Sequence, residues 1–147
     1  MTKKSFGLEQ VLTYRKEIEK VCKLEFNTAR QEFDGACERL NNEVNRVDQL
    51  SMELQDRQRE GMTAMELQLY ADFFRRKIVD INSYRQETVT LGDRMAEKQE
   101  QLLEAAMDKK MLETLKEKKQ QAHRREMLEK ERNFLEEIAL RKKGHGQ

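Results

Sequence analysis

Apolar residues recur along the first half of the chain at alternating intervals of three and four positions. Every seventh residue from Phe26 to Leu54 is apolar, and a second apolar set lies between them. This alternation is the heptad pattern of a coiled-coil seam, and it predicts one helix over residues 8–59. The two sets are Phe26, Phe33, Leu40, Val47 and Leu54, and Cys22, Ala29, Ala36, Val44 and Leu50; towards the N-terminus the stripe continues less strictly through Leu8, Val11, Leu12, Ile18 and Val21.

The first helix is predicted to end in the stretch REGMTAMELQ. Gly61 supplies the left-handed residue that commonly closes a helix, and Thr63 with Glu66 forms a T-x-x-E capping box that starts another. These signals place a turn at residues 60–63.

A second apolar seam follows the turn and predicts a helix over residues 64–142, with a flexible tail at 143–147. Its members are Leu67, Tyr70, Phe74, Ile81, Tyr84, Thr88, Leu91, Met95, Leu102, Ala105 and Leu112.

A turn this short joins antiparallel neighbours, so the two seams are expected to face each other. The predicted fold is all-α, a single-domain antiparallel two-helix coiled coil in the form of a helical hairpin. Folding about residue 62 places residue i opposite residue 124 − i. Beyond about residue 118 no residue of the first helix lies opposite the second helix. The second helix is therefore expected to overhang at its C-terminal end.

The same register brings Gly35 and Gly92 to one level of the hairpin. Each glycine costs about 1 kcal/mol relative to alanine inside a helix. This level is therefore expected to be the softest of the pairing, either as a tolerated irregularity or as a functional bend.

The composition supports extended helix over a globular domain. The chain has 147 residues, no Pro, 39% charged residues and a mean hydropathy of −0.99. Disorder is the alternative, but charges of opposite sign nearly cancel to +1 and the apolar residues are periodic. No apolar run could span a bilayer, and the N-terminus has no signal-peptide pattern, so the chain is expected to be cytosolic.

Candidate chemistry is sparse. Cys22 and Cys37 would lie about 22 Å apart on one helix, too far for a disulfide. His123 and His145 have no partners at zinc-binding spacing, and there is no phosphate-binding loop or nucleophile motif. We therefore expect no enzyme activity, no metal and no cofactor.

The stretch KEKKQQAHRREMLEKER, residues 116–132, carries seven Lys or Arg and four Glu. It is interpreted in three ways: a solvated helix held by i,i+4 pairs such as Glu126–Lys130 and Arg125–Glu129, a nucleic-acid-binding helix, or a protein-docking helix. Interspersed acids and missing aromatics disfavour nucleic acid.

Docking is favoured because apolar residues return after this stretch without any first helix opposite them. They are Phe134, Leu135, Ile138 and Ala139. An unpartnered apolar stripe indicates a partner or self-association. Leu69 and Phe73, one position off the seam, are either the edge of a broad core or a second binding ridge.

The opening FGLEQVLTYRKEIE, the glycine-centred hairpin near residue 61 and the closing FLEEIALRKK resemble the FliJ family of flagellar export proteins. This resemblance extends over essentially the whole chain. It implies an antiparallel coiled coil similar to the central stalk of rotary ATP synthases. It also implies a cytoplasmic location at the flagellar basal body, attached to the membrane only through partners.

The implied partners are the export ATPase hexamer, the cytoplasmic domain of the export gate and export chaperones. By the same resemblance, Lys77 and Asp80 depart from the expected apolar or small residues. Two other function classes stay open: a structural coiled coil that only self-associates, and a basic helical nucleic-acid binder. The residues implied for the ATPase ring are Leu12, Arg15, Arg124, Arg125, Leu128, Arg132, Leu135 and Ile138, and those for the gate are Tyr70, Phe73 and Tyr84.

Overall fold

The chain forms two long α-helices and, over the residues that the structure describes, no strand. A computed structural model describes residues 3–145, with side chains for residues 7–144, and gives α1 at Lys3–Glu60 and α2 at Ala64–His145. The predicted all-α helical hairpin is confirmed.

Both helices extend beyond the predicted boundaries. The first begins at Lys3 instead of residue 8, and the second continues to His145 instead of ending at residue 142. No proline interrupts either end, and one glycine costs a helix only about 1 kcal/mol, so Gly144 does not end α2. Of the predicted tail, residues 143–145 are helical, and 146–147 lie outside the described residues.

The turn has the two predicted caps. Gly61 adopts a φ of +105°, and its N–H donates to the Arg57 carbonyl at 3.0 Å, as in an αL helix end. On the other side, the Glu66 N–H donates to Thr63 Oγ1 at 3.2 Å. Thr63 is thus the N-cap of α2, and the turn occupies only residues 61–63.

Contacts divide the chain into two compact units. The hairpin unit is Lys20–Leu103, and the terminal unit combines the chain up to Glu19 with the chain from Glu104 onward. Within each unit α1 and α2 pair antiparallel. The numbers of the residues joined by cross-helix ion pairs sum to 120–126 in the hairpin unit and to 123–128 in the terminal unit. These values lie on either side of the predicted 124.

The buried core of each unit is narrow and built mainly from small side chains. Most seam positions are half-buried, as expected where only two helices cover each other. Three residues assigned to the seam, Val11, Val21 and Leu67, are instead exposed, because they lie at the edge of the covered stripe. The buried hydrophobic residues, among those whose side chains the structure describes, are Leu12 and Ala105 in the terminal unit, and Ala29, Ala36 and Ile81 in the hairpin unit.

Most of the described ion pairs across the helices have the same direction. Four of them join a Glu of α1 to a Lys of α2, whereas two other cross-helix pairs, Arg15–Asp108 and Arg39–Glu87, run the other way. Pairing two copies of α2 in the same register would bring lysines near each other, so the pattern favours α1 against α2. The four pairs are Glu9–Lys116, Glu19–Lys109, Glu25–Lys98 and Glu43–Lys77.

The two glycines of the predicted soft level have different surroundings. A Cβ added at Gly92 would lie 3.0 Å from Cε1 of Phe33, whereas a Cβ at Gly35 would meet no atom within 4 Å. Gly92 therefore makes room for the Phe33 ring in the hairpin unit, and this packing is a physical reason for glycine there. Gly35 has no comparable reason.

Alanine substitutions at Gly35 and Gly92 are expected to change the stability by different amounts. Gly35→Ala should raise the free energy of unfolding by about 1 kcal/mol, because it removes the helical cost of glycine without a collision. Gly92→Ala should gain less than this or lose stability, since the Phe33 ring must shift. Urea denaturation measures both. An equal gain at the two positions would contradict the role assigned to Gly92.

Candidate protein-binding surfaces

The part of α2 beyond the end of α1 forms the first candidate surface. We define the overhang as residues 117–144. Every residue from Glu117 to Glu137 is exposed, and Ile138 is half-buried. Leu128 and Leu135 have 64% and 59% of their surface exposed. The overhang is therefore a helix whose leucines are not covered by any other element in the described part of the chain.

Arginine and leucine alternate along one face of the overhang. Arg125, Leu128, Arg132 and Leu135 follow one another at intervals of three, four and three residues, which places them on a single stripe. These four residues, together with Glu129 and Glu131, line a shallow open groove. A surface of this type suits a partner that presents apolar side chains next to carboxylates.

The i,i+4 pairs suggested for the overhang do not form. In the described chain neither Glu126–Lys130 nor Arg125–Glu129 is among the salt bridges. The solvated-helix interpretation therefore loses the ion pairs on which it depended. The Arg125 guanidinium is left available for a partner.

The two α1 residues of the predicted ring-binding set lie within the helix pairing of the terminal unit. Leu12 is only 3% exposed, so a partner cannot reach its side chain in this arrangement. Arg15 is half-buried, and its Nη1 lies 3.4 Å from Oδ2 of Asp108. Both residues hold α1 against α2 instead of extending the overhang stripe.

The second candidate surface lies next to the turn, in the hairpin unit. Tyr70 and Phe73 are half-buried, and each ring has a cation near its face: Arg57 Cζ at 6.0 Å and Lys77 Nζ at 5.5 Å. Such contacts favour one orientation of each ring, and both half-buried rings stay partly exposed. We call Tyr70 and Phe73 the aromatic pair.

The other residues predicted for this surface, Leu69 and Tyr84, lie outside the aromatic pair. Phe73 makes an edge-to-face contact with Phe74, with centroids 6.5 Å apart, and so belongs partly to the core. Leu69, one turn earlier, is exposed. Tyr84 is half-buried but follows Phe73 by eleven residues, about 16 Å along the helix. Tyr84 is thus separate from the aromatic pair.

Lys77 also forms the shortest ion pair described in the hairpin unit. Its Nζ lies 2.9 Å from Oε2 of Glu43, and both side chains are largely covered. The hydrogen bond from Lys77 lowers the pKa of Glu43 below its usual value of 4.5, although burial acts in the opposite direction. The carboxylate is therefore charged at neutral pH and helps to hold α1 and α2 together next to the aromatic pair.

The Glu43–Lys77 ion pair should make the free energy of unfolding depend on pH. A lowered pKa in the folded state means that the contribution is present above pH 4.5 and is lost as the pH falls through the folded-state pKa. Glu43→Gln should lower the urea midpoint at pH 7, and the difference from the wild type should close as the pH falls below 4.5. Glu53→Gln, which changes only an exposed intrahelical pair, is the control. A pH-independent effect of Glu43→Gln would exclude this role.

Neither a metal-ion site nor a membrane-spanning helix is present among the described residues. No group of three His, Cys, Asp or Glu side chains could hold a metal ion. Neither helix contains, within the same residues, a segment long and apolar enough to cross a membrane.

The chain matches the model of a known protein family. A family model described as "Flagellar FliJ protein" matches residues 4–147. No curated protein and no solved structure matches significantly.

Proposed function

Because the chain belongs to the FliJ family over essentially its whole length, we propose that it is a non-enzymatic stalk component of the flagellar type III export apparatus. Family membership makes it a flagellar, export-related coiled-coil protein. The proposal adds that it binds the centre of the export ATPase hexamer and promotes the assembly and activity of that ring. It also couples the ring to the export gate and to export chaperones, at the cytoplasmic face of the basal body.

The observation that carries the proposal is the exposed Arg–Leu stripe of the overhang. Arg125, Leu128, Arg132 and Leu135 extend over about three helical turns, and no other described element covers the leucines. An uncovered apolar stripe of this kind is typical of a helix that inserts into a partner. A ring interior offers such a helix similar surfaces on several sides.

Activation can then be understood as linkage between binding and assembly. If the overhang contacts more than one ATPase subunit at once, it binds the closed ring more tightly than separate subunits. The population of closed rings, and with it ATP hydrolysis, rises with the concentration of the stalk protein. Arg124 and Ile138, which flank the stripe, would add contacts to neighbouring subunits.

The aromatic pair is the proposed contact with the cytoplasmic domain of the gate, with Tyr84 as an additional contact farther along α2. Half-buried aromatic rings with fixed orientation are frequent hot spots of protein interfaces. Because the overhang and the aromatic pair belong to one chain, a single molecule can tether ATPase and gate. Its association with the membrane would be through these partners.

The direct test is the rate of ATP hydrolysis by the purified export ATPase with and without this protein. We expect the rate to rise with added protein and to saturate near one stalk per ring. An unchanged rate across micromolar concentrations would refute the ATPase part of the proposal. Bovine serum albumin at equal mass controls for nonspecific stabilisation of the enzyme.

A further inference from the structure

The terminal unit has a second exposed apolar face, which precedes the Arg–Leu stripe of the overhang along α2. On α2 it consists of Glu104, Met107, Met111, Leu115 and Lys118, which we call the terminal face. Its three apolar residues have 64%, 70% and 44% of their surface exposed, in chain order. The intervals of three, four, four and three residues keep all five on one side of the helix.

Two residues of α1 widen this face. Val11 and Tyr14, three residues apart, are both exposed. Val11 shares a side of α1 with Arg15, four residues later, and Met111 shares a side of α2 with Asp108, three residues earlier. Since Arg15 and Asp108 are in contact, the apolar side chains of both helices lie on the same side of the terminal unit.

The order of residues on the terminal face is symmetric about Met111. Met107 and Leu115 are each four residues from it, and Glu104 and Lys118 are each seven residues from it on opposite sides. A second helix with the same sequence, laid antiparallel with Met111 over Met111, would therefore place apolar residues over apolar residues. It would also place Glu104 of each copy over Lys118 of the other.

We propose that the terminal face is the contact surface between two copies of this chain, related by a two-fold axis through Met111. Charge complementarity favours a second copy of the chain as the partner. Under a two-fold axis, Glu104 of each copy lies opposite Lys118 of the other, which gives two equivalent ion pairs. Within the described part of the chain neither Glu104 nor Lys118 forms a salt bridge, so both charges are available. A parallel arrangement would instead bring like charges together.

The dimer should be weak and reversible. Stable complexes usually involve about 20–30 residues on each side, and the terminal face with Val11 and Tyr14 has far fewer. An equilibrium between one and two copies at micromolar to millimolar concentration fits a surface of this size. Dimerisation is independent of the proposed ATPase binding, which uses the stripe of the overhang.

Charge reversal tests the two-fold arrangement directly. In sedimentation equilibrium the wild-type chain should rise in mean mass from 17.6 kDa towards twice that value with increasing concentration. Glu104→Lys or Lys118→Glu alone places like charges opposite each other twice per dimer and should weaken association at least about tenfold. The double variant Glu104→Lys/Lys118→Glu should restore association, because both ion pairs re-form with exchanged signs.

Two lysine variants distinguish an effect specific to the terminal face from the effect of adding a charge elsewhere on the chain. Met111→Lys, at the axis, should abolish the dimer, whereas Met52→Lys, on an exposed methionine of the hairpin unit, should leave it intact. Circular dichroism checks that each variant remains helical. A wild-type chain that stays monomeric up to about 1 mM, the weak end of protein affinities, would overturn the proposal and leave the face for another partner. Failure of the double variant to restore association would also overturn it.

Discussion

Ending the chain at Lys118 is expected to abolish the stimulation of ATP hydrolysis by the export ATPase. The truncation removes the exposed stripe of Leu128 and Leu135 with its arginines, while the described cross-helix ion pairs, the last of which on α2 involves Lys116, all remain. The shortened hairpin should thus stay folded and lose only the element proposed to enter the ring. Hydrolysis rates measured with the full and truncated chains at equal concentrations would show this.

A single substitution makes the same test within the full chain. Leu135→Glu replaces the last leucine of the stripe with an acidic residue and should raise the concentration for half-maximal stimulation at least tenfold, corresponding to about 1.4 kcal/mol. Leu140→Glu is the matched control. Leu140 is also exposed, at 69% against 59% for Leu135, but it lies five residues further, about 140° around the helix.

Two results would count against the overhang as the ring-binding element. One is full stimulation by the chain that ends at Lys118. The other is an equal effect of Leu135→Glu and Leu140→Glu, because binding that ignores the face of the helix does not depend on the stripe. Either result would indicate that the ring-binding element lies elsewhere in the terminal unit.

Phe73→Ala is expected to weaken binding to the cytoplasmic domain of the export gate at least tenfold, with Tyr70→Ala somewhat less severe. Phe73 contributes a ring that is held by Phe74 at its edge and by Lys77 over its face. Removing such a preoriented aromatic side chain from an interface typically costs more than about 1 kcal/mol. Isothermal titration of the purified gate domain measures the change.

The control and the second readout make this prediction specific. Val79→Ala shortens an exposed side chain of the same helix and should leave gate affinity unchanged. Phe73→Ala should still stimulate the ATPase, since the overhang is intact. If the variant binds the gate domain as well as the wild type does, the aromatic pair is not the contact.

The helical hairpin was predictable because its signals are local or strictly periodic. Gly61 and Thr63 each define a cap through atoms within four residues, so tertiary packing is not needed to locate the turn. The heptad spacing then fixes which faces meet, and the short turn fixes their direction. Register followed from these two facts to within a few residues.

The candidate surfaces were less predictable, because exposure depends on how wide a stripe the partner helix covers. Leu12 and Val11 are neighbours with similar apolar character, yet one is buried and the other exposed. Family resemblance supplied Leu12 as a contact residue, and only the packing showed it to be covered. The Glu–Lys direction of most cross-helix pairs could be predicted from the register, since Glu19 and Lys109 sum to 128, about one helical turn from the predicted 124.

The position of the turn also has a consequence for the entropy of closing the hairpin. Glu43 and Lys77 are separated by 34 residues in sequence, and Arg15 and Asp108 by 93. Closing the longer loop from an open chain costs about 0.9 kcal/mol more. Once the pair nearer the turn is made, only short segments remain to be joined for the next. Because the caps at Gly61 and Thr63 define the turn, each residue pair that forms shortens the loop that the next pair, farther from the turn, has to close. The pairs of the terminal unit come last in this order.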